Sequence, residues 1–191
     1  MPRTKEQFNE MREKSKRLIM ESALKLFSSN GFHATSINKI AADAGIAVGL
    51  VYNYFESKED LLDKIIKDSL VDFNNLLEIQ GKEAIGENDL NGLIEAIFDI
   101  MKAKIDSWRL IISVMLQPDV AEIGRRNMAS FSNHINQFDE AYFRKKGDPD
   151  AAKKARILDE LFHAASLRFI LSGDEEGLRL IKDEVIKKYI M

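Results

Sequence analysis

Apolar positions recur at helical spacing along nearly the whole chain, and the breaks between runs fall at glycine, proline and small polar residues. From Ser15 to Ser29, Ile19, Ala23, Leu26 and Phe27 share a face, and Asn30-Gly31 ends the run. Ile37, Ile40, Ala41 and Ala44 then fall at i, i+3, i+4 and i+7. Ser36 or Thr35 can cap this helix, and Gly45 sits where a left-handed backbone turns the chain. A short helix fits Ala47 to Asn53, and a long one runs from Ser57 through Leu61, Leu62, Ile65, Ile66, Leu70, Phe73 and Leu77 to Gly81.

Beyond a predicted linker, Gly81 to Asn88, an amphipathic helix carries Leu90, Leu93, Ile94, Ile97, Phe98, Met101 and Ile105. Ser107 begins a segment, Trp108 to Gln117, that is apolar nearly all round and is expected in the interior; Pro118 ends it. Met128, Phe131, Ile135, Phe138 and Tyr142 mark the next helix, and Lys145 to Asp150 is a turn. Ala151 to Leu171 is a further helix with Ile157, Leu158, Leu161, Phe162, Ala165 and Phe169. After Ser172-Gly173-Asp174, Leu178, Ile181, Val185 and Ile186 carry the last one. The pattern predicts an all-α chain of about nine helices.

Thr35 to Lys58 reads as two helices joined by a tight turn and followed at once by a third. If Val51, Phe55 and Ile46 point back toward the first helix, the face of Ala47, Val48, Gly49, Leu50, Tyr52 and Asn53 is left small, uncharged and partly apolar. Such a face suits the major groove, where a helix lies close to base edges and thymine methyls. Gly49 costs about 1 kcal/mol against alanine inside a helix, which fits a backbone that must be closely approached. Ser57 and Asp60 make a near capping box and set Lys58 in the first turn of the next helix. Either a DNA phosphate shares that site with its ammonium, or Glu59 and Asp60 offset a solvated cation.

Gly31-Phe32, Thr35-Ser36, Ile40-Ala41, Ala44-Gly45-Ile46, Gly49, Val51 to Phe55 and Ser57 to Leu61 together resemble the DNA-binding signature of the TetR family of bacterial transcriptional regulators. The likeness covers roughly residues 15 to 65 without gaps. It implies a helix-turn-helix domain over residues 1–56 and a larger helical ligand-binding and dimerisation domain over 57–191. By position, Ser36, Tyr52, Tyr54 and Lys58 would touch phosphates, while Asn38, Val48, Gly49 and Leu50 would face bases, with Lys39, Ala47 and Asn53 beside them. Ala47 and Val48 depart from the family, where a polar or basic pair is frequent. The resemblance also implies a homodimer, an operator of double-stranded DNA and release by a small effector.

The formal charge of -3 argues at first against a nucleic-acid binder, but its distribution does not. From Met1 to Arg17, Arg3, Lys5, Arg12, Lys14, Lys16 and Arg17 outweigh Glu6, Glu10 and Glu13, leaving +3 there and -6 over the rest. Met1 to Lys14 is either a frayed arm, from which Arg3 and Lys5 can reach DNA, or the exposed start of the first helix. With no cysteine there is no disulfide framework, thiolate nucleophile or cysteine zinc site. Neither a signal peptide nor a membrane span is expected, so a cytoplasmic home is; the longest apolar run, Leu110 to Leu116, reads as a buried helix.

Phe98, Met101, Trp108, Ile112, Met115, Met128, Phe131, Phe138 and Phe162 make the second domain rich in aromatic and methionine side chains. They are either ordinary core or the lining of a cavity for a largely apolar effector, with His134 as a polar end. His33 reads as a loop residue. No phosphate loop, nucleophile elbow or metal-ligand spacing occurs, so no enzyme, metal or cofactor is expected. The last two helices either dimerise as a four-helix bundle or close the monomer core.

Overall fold

A computed structural model describes residues 4–80, 87–185 and 187. Among these, every regular element is an α-helix: α1 (Lys5–Asn30), α2 (Ile37–Ala44), α3 (Val48–Tyr52), α4 (Lys58–Gln80), α5 (Glu87–Ala103), α6 (Ile105–Met115), α7 (Ala121–Lys145), α8 (Ala151–Ser172) and α9 (Glu175–Val185). The N-terminal segment is the start of α1. The Thr4 hydroxyl accepts from the Gln7 backbone and the Gln7 side chain returns the bond, closing a capping box. Arg3 and most of the predicted linker, residues 81–86, lie outside the described residues, as does Ile186; so do the side chains of Leu77, Leu90, Leu93 and Ile181.

The chain divides into two compact units. The first joins Met1–Asp68 to Leu110–Asn127, and the second joins Ser69–Arg109 to Met128–Met191, so the division cuts through α4, α6 and α7. In the first unit Ile19, Phe27, Phe32, Ile40, Val51, Phe55, Leu61 and Ile66 form the core. The 110–127 segment closes this core through Gln117. Its side-chain oxygen accepts from the Phe32 backbone at 2.8 Å and its amide donates to the Phe27 carbonyl at 3.0 Å, at the end of α1. Asp63 on α4 receives Asn127 and Arg126 of α7, both at 2.8 Å, and Lys67 at 2.6 Å. Burial pushes the Asp63 carboxyl up, but these three partners outweigh it and hold it at about 2.

The core of the second unit is built on Phe73, Ile94, Phe98, Met101, Trp108, Phe138, Tyr142, Leu158 and Phe169. Phe73 meets Trp108 edge-on and Phe131 at a tilt, at 5.6 and 5.5 Å between centroids, and Phe98 meets Phe162 at 5.7 Å. Asp139 and Asp159 are buried on α7 and α8. Asp159 accepts from the Ser132 hydroxyl at 2.6 Å and lies 3.4 Å from His163 Nδ1. Burial, and secondarily the charge of Asp159, raise the Asp139 carboxyl well above the ordinary range.

Two expectations about α6 are corrected. The break before it falls at Lys104, and Ile105 already belongs to it. Nor is it apolar all round: Trp108, Ile111 and Val114 are buried, whereas Asp106, Ser107, Arg109 and Ser113 are exposed and Leu116 is 74% exposed. Spacing of three residues confines the buried set to one stripe. Among the described residues no helix is long and apolar enough to cross a membrane.

Candidate nucleic-acid interface

The geometry of α2 and α3 follows from the residues at their ends. The Ser36 hydroxyl accepts from the Lys39 backbone at 3.3 Å and so caps α2, while Thr35 turns inward. Its hydroxyl, fully buried, sits 2.9 Å from the Gly31 carbonyl and 3.1 Å from that of Leu26. Gly45 takes φ 67°, ψ 32°, a left-handed conformation open to glycine at no steric cost, and its N–H returns to α2. Ala47 starts α3 with extended backbone and Asn53 ends it. Five residues make no stable helix alone, so α3 stands on the burial of Val51 and Phe55 beneath it.

With that side fixed, the other side points outward. Ala47, Gly49 and Asn53 are exposed, Tyr52 is 56% exposed, and Val48 and Leu50 are half-buried. A Cβ added at Gly49 would meet nothing within 4 Å, so the glycine serves no internal packing. On α2, Ser36, Asn38 and Lys39 are exposed. Asn38 has no partner among the described residues, whereas the Lys39 ammonium donates to the Ala34 carbonyl at 2.9 Å. His33 is an exposed loop residue, its Nε2 2.9 Å from Asp119.

Lys58 is placed differently from the expectation. Its ammonium is turned inward, donating to the carbonyls of Phe32 and Thr35, each at 2.9 Å, and lying 4.6 Å from the centre of the Phe32 ring. The cation in the first turn of α4 is therefore explained by the carbonyls of the 32–35 loop, and neither a phosphate nor Glu59 is needed to account for it. Ser57 caps α4 by accepting from the Asp60 backbone at 3.0 Å, while the Asp60 carboxylate reaches the Glu56 N–H at 2.9 Å and not Ser57. Two cations not anticipated flank Tyr54. Arg12 lies 5.7 Å over its ring, and Lys64 donates to its carbonyl at 3.2 Å. The spacing of α1 gave no signal for Arg12, which is 42 residues from Tyr54 in sequence, and Lys64, ten residues on, reaches back from the second turn of α4.

The residues expected to line an effector cavity do not fall together. Ile112 and Met115 belong to the first unit, where Met115 fills the space beside Gly124 so closely that a Cβ there would come within 2.7 Å of its Cγ. In the second unit Phe98, Met101, Trp108 and Phe138 are buried, Met128, Phe131 and Phe162 are half-buried, and His134 is exposed on α7, not an interior polar end. A cleft of about 620 Å³ between α5 and α9 is lined by Glu95, Asp99, Lys102, Glu175, Arg179 and Lys182 with Phe98 and Leu178. Its Lys102–Glu175 and Lys182–Glu95 pairs make it polar, and of the expected residues it includes only Phe98.

An outward-facing short helix, set by a glycine turn on a capped partner helix and backed by a third and a fourth, defines a helix-turn-helix protein. A family model described as "Bacterial regulatory proteins, tetR family" matches residues 19–65. The chain is 37% identical over 122 residues to the fatty acid metabolism regulator protein of Bacillus subtilis (strain 168), a stretch covering 63% of this chain and 62% of that protein. It therefore spans less than two thirds of that relative's length. Among solved structures, the transcriptional regulator FadR of Bacillus subtilis in complex with stearoyl-CoA superposes with a TM-score of 0.70 at 17% identity, over 91% of this chain and 97% of that one. The SmeT–triclosan complex does so at 0.76 and 19%, over 93% and 92%. At these identities the structural likeness shows the fold alone. The helix-turn-helix segment, residues 19–65, is thus that of the tetR family of bacterial regulatory proteins.

Proposed function

We propose that this chain is a transcriptional regulator, a ligand-released repressor that binds a near-palindromic operator as a homodimer. The observation that carries the reading is the outer face of Ala47 to Asn53, uncharged, with Ala47, Gly49, Tyr52 and Asn53 exposed and open space beside Gly49, while Val51 and Phe55 are buried behind it. Two copies of α3 would enter successive major grooves about 34 to 36 Å apart. Ser36, Tyr52 and Tyr54 would take phosphates, joined by Lys39, and Asn38, Val48, Gly49 and Leu50 would meet bases. Lys58 would act there through the loop it holds. Residues 1–56 would supply this reading surface and 57–191 the effector and dimer surfaces, acting in the cytoplasm where the DNA lies.

Support for the dimer comes from α8. Ile157, Leu161, Ala164 and Leu171 recur at spacings of four, three and seven on its exposed side, Ile157 and Leu161 at 37% and Leu171 at 58% exposure, and Leu180 on α9 is 56% exposed. Paired with a second copy, these helices make a four-helix bundle. The effector would be a largely apolar molecule. The relatives above favour a long-chain fatty acyl compound, since one is a fatty acid metabolism regulator and one was solved with stearoyl-CoA.

Selection of bound sequences from a random duplex pool at near-physiological salt tests the reading. A recovered palindrome whose binding is lost on adding stearoyl-CoA supports it, and in that case Asn38→Ala should change base preference at one position. A pool left unenriched by protein stripped of small molecules would refute it.

A further inference from the structure

Ile19, Ala23 and Phe27 form the buried stripe of α1, and its spacing runs on toward the N-terminus through Arg12 and Lys5, seven and fourteen residues before Ile19. There the apolar residues give way to cations. Every residue from Thr4 to Lys14 is exposed, so this half of the helix overhangs the core of the first unit instead of packing on it. Lys16, on the same stripe, is tied to Glu13 at 2.8 Å, and Glu6 and Glu10 fall away from the stripe. The helical neighbours of Lys5 and Arg12 at three and four residues are Phe8, Asn9, Ser15 and Lys16, none of them an acid, so nothing along the helix neutralises these two charges.

The overhang is not aimed at random. The Arg12 guanidinium lies 5.7 Å over the Tyr54 ring, and Tyr54 follows directly on Asn53, which ends α3. The contact therefore sets Arg12 at the edge of the surface that α3 turns outward. A guanidinium held on an aromatic face keeps its N–H groups in plane and directed past the ring, a geometry suited to a bidentate phosphate contact. We propose that the first two turns of α1 form a second DNA contact of this chain, in which Arg12, held on Tyr54, takes one backbone phosphate and Lys5 takes another. The two residues are about 10 Å apart along the helix axis. That is several times the rise of about 3.4 Å per phosphate on one strand, so they fall on separate phosphates. The proposal rests on the reading of the chain as a DNA-binding regulator. It extends the footprint to residues that precede the 19–65 segment matched by the family model.

The test uses the full chain and the palindromic duplex recovered by selection, and compares wild type with Arg12→Gln, Lys5→Gln and Arg12→Lys. Both positions are exposed, so the variants fold as wild type does. The slope of log affinity against log salt should become shallower by about 0.9 per bound chain in each glutamine variant, and Arg12→Lys should restore it. Duplexes carrying one neutral methylphosphonate at successive positions then locate the contacts. One position should weaken wild type about tenfold, the size of one charge-assisted hydrogen bond, and weaken Arg12→Gln no further; a different position should behave in the same way for Lys5→Gln. Glutamine variants with an unchanged salt slope and the wild-type pattern of methylphosphonate penalties would overturn the inference, leaving Arg12 a packing partner of Tyr54 and the regulator reading intact. Wild-type protein that prefers no duplex over the random pool would overturn the regulator reading and this inference with it.

Discussion

Lys58→Met keeps the aliphatic stem of the side chain and removes the ammonium, so it isolates the bonds to the 32–35 loop. Two carbonyls at 2.9 Å lose a charged donor; that of Phe32 keeps the Thr35 N–H at 3.3 Å. Hydrogen bonds from a charged group contribute about 1.5 to 3 kcal/mol each, and the site is only half-buried, so a total of about 2 to 3 kcal/mol is expected. For a chain of this size that corresponds to a fall of roughly 5 to 10 °C in melting temperature, measured by circular dichroism. DNA affinity should fall because the loop leading into α2 loosens, but the slope of log affinity against log salt should stay unchanged, since no phosphate contact is lost. A phosphate-binding Lys58 predicts the opposite pair: melting altered by less than a degree or two and a slope shallower by about 0.9. That second outcome would refute the reasoning.

Asp63 has a folded pKa of about 2 against an ordinary 3.8, so its stabilisation is complete above the ordinary value and is lost as pH falls from about 4 through 2. The shift corresponds to about 2 kcal/mol, and Asp63→Asn should lose that much at pH 7 and flatten the acid limb of a urea-melt series. Asp139 has the opposite sign. Its raised pKa means that its neutral form stabilises the fold below the ordinary value, and that this stabilisation is lost as pH rises through the raised one. Asp139→Asn should therefore melt higher than wild type at pH 8, with the difference vanishing near pH 4. Leu161→Glu with Leu171→Glu should weaken dimerisation by about thirtyfold or more in sedimentation equilibrium, with the monomer's helical content retained.

The turn between α2 and α3 was legible in the sequence because it depends on local chemistry: a serine cap, an apolar stripe and a glycine at the left-handed position lie within ten residues. The outward face of α3 followed from the same spacing. What could not be read was whatever depended on segments far apart in the chain. Helical spacing set Lys58 at the start of α4, but the carbonyls that turn it inward come from a loop some 25 residues earlier. The body helices were recognised as helices, yet the list of apolar residues carried no information on which unit each joins, so Ile112 and Met115 were grouped with Trp108. The apolar run from Leu110 hid the polar side of α6 because Asp106, Ser107 and Arg109 stand before it.

The Gln117 amide bears on how helix-turn-helix proteins of this kind can be recombined. It holds the end of α1 from a position some 85 to 90 residues downstream, with one end of the amide donating and the other accepting. A fusion cut after the helix-turn-helix would leave the Phe32 N–H to whatever the new body offers, and the Phe27 carbonyl with the Gly31 N–H alone. A receiving body with leucine at the equivalent position replaces neither of the two bonds, and one with glutamate only the bond from the Phe32 N–H. Exchanging operator specificity between such proteins is thus a two-piece graft, in which the head must travel with the 110–127 segment.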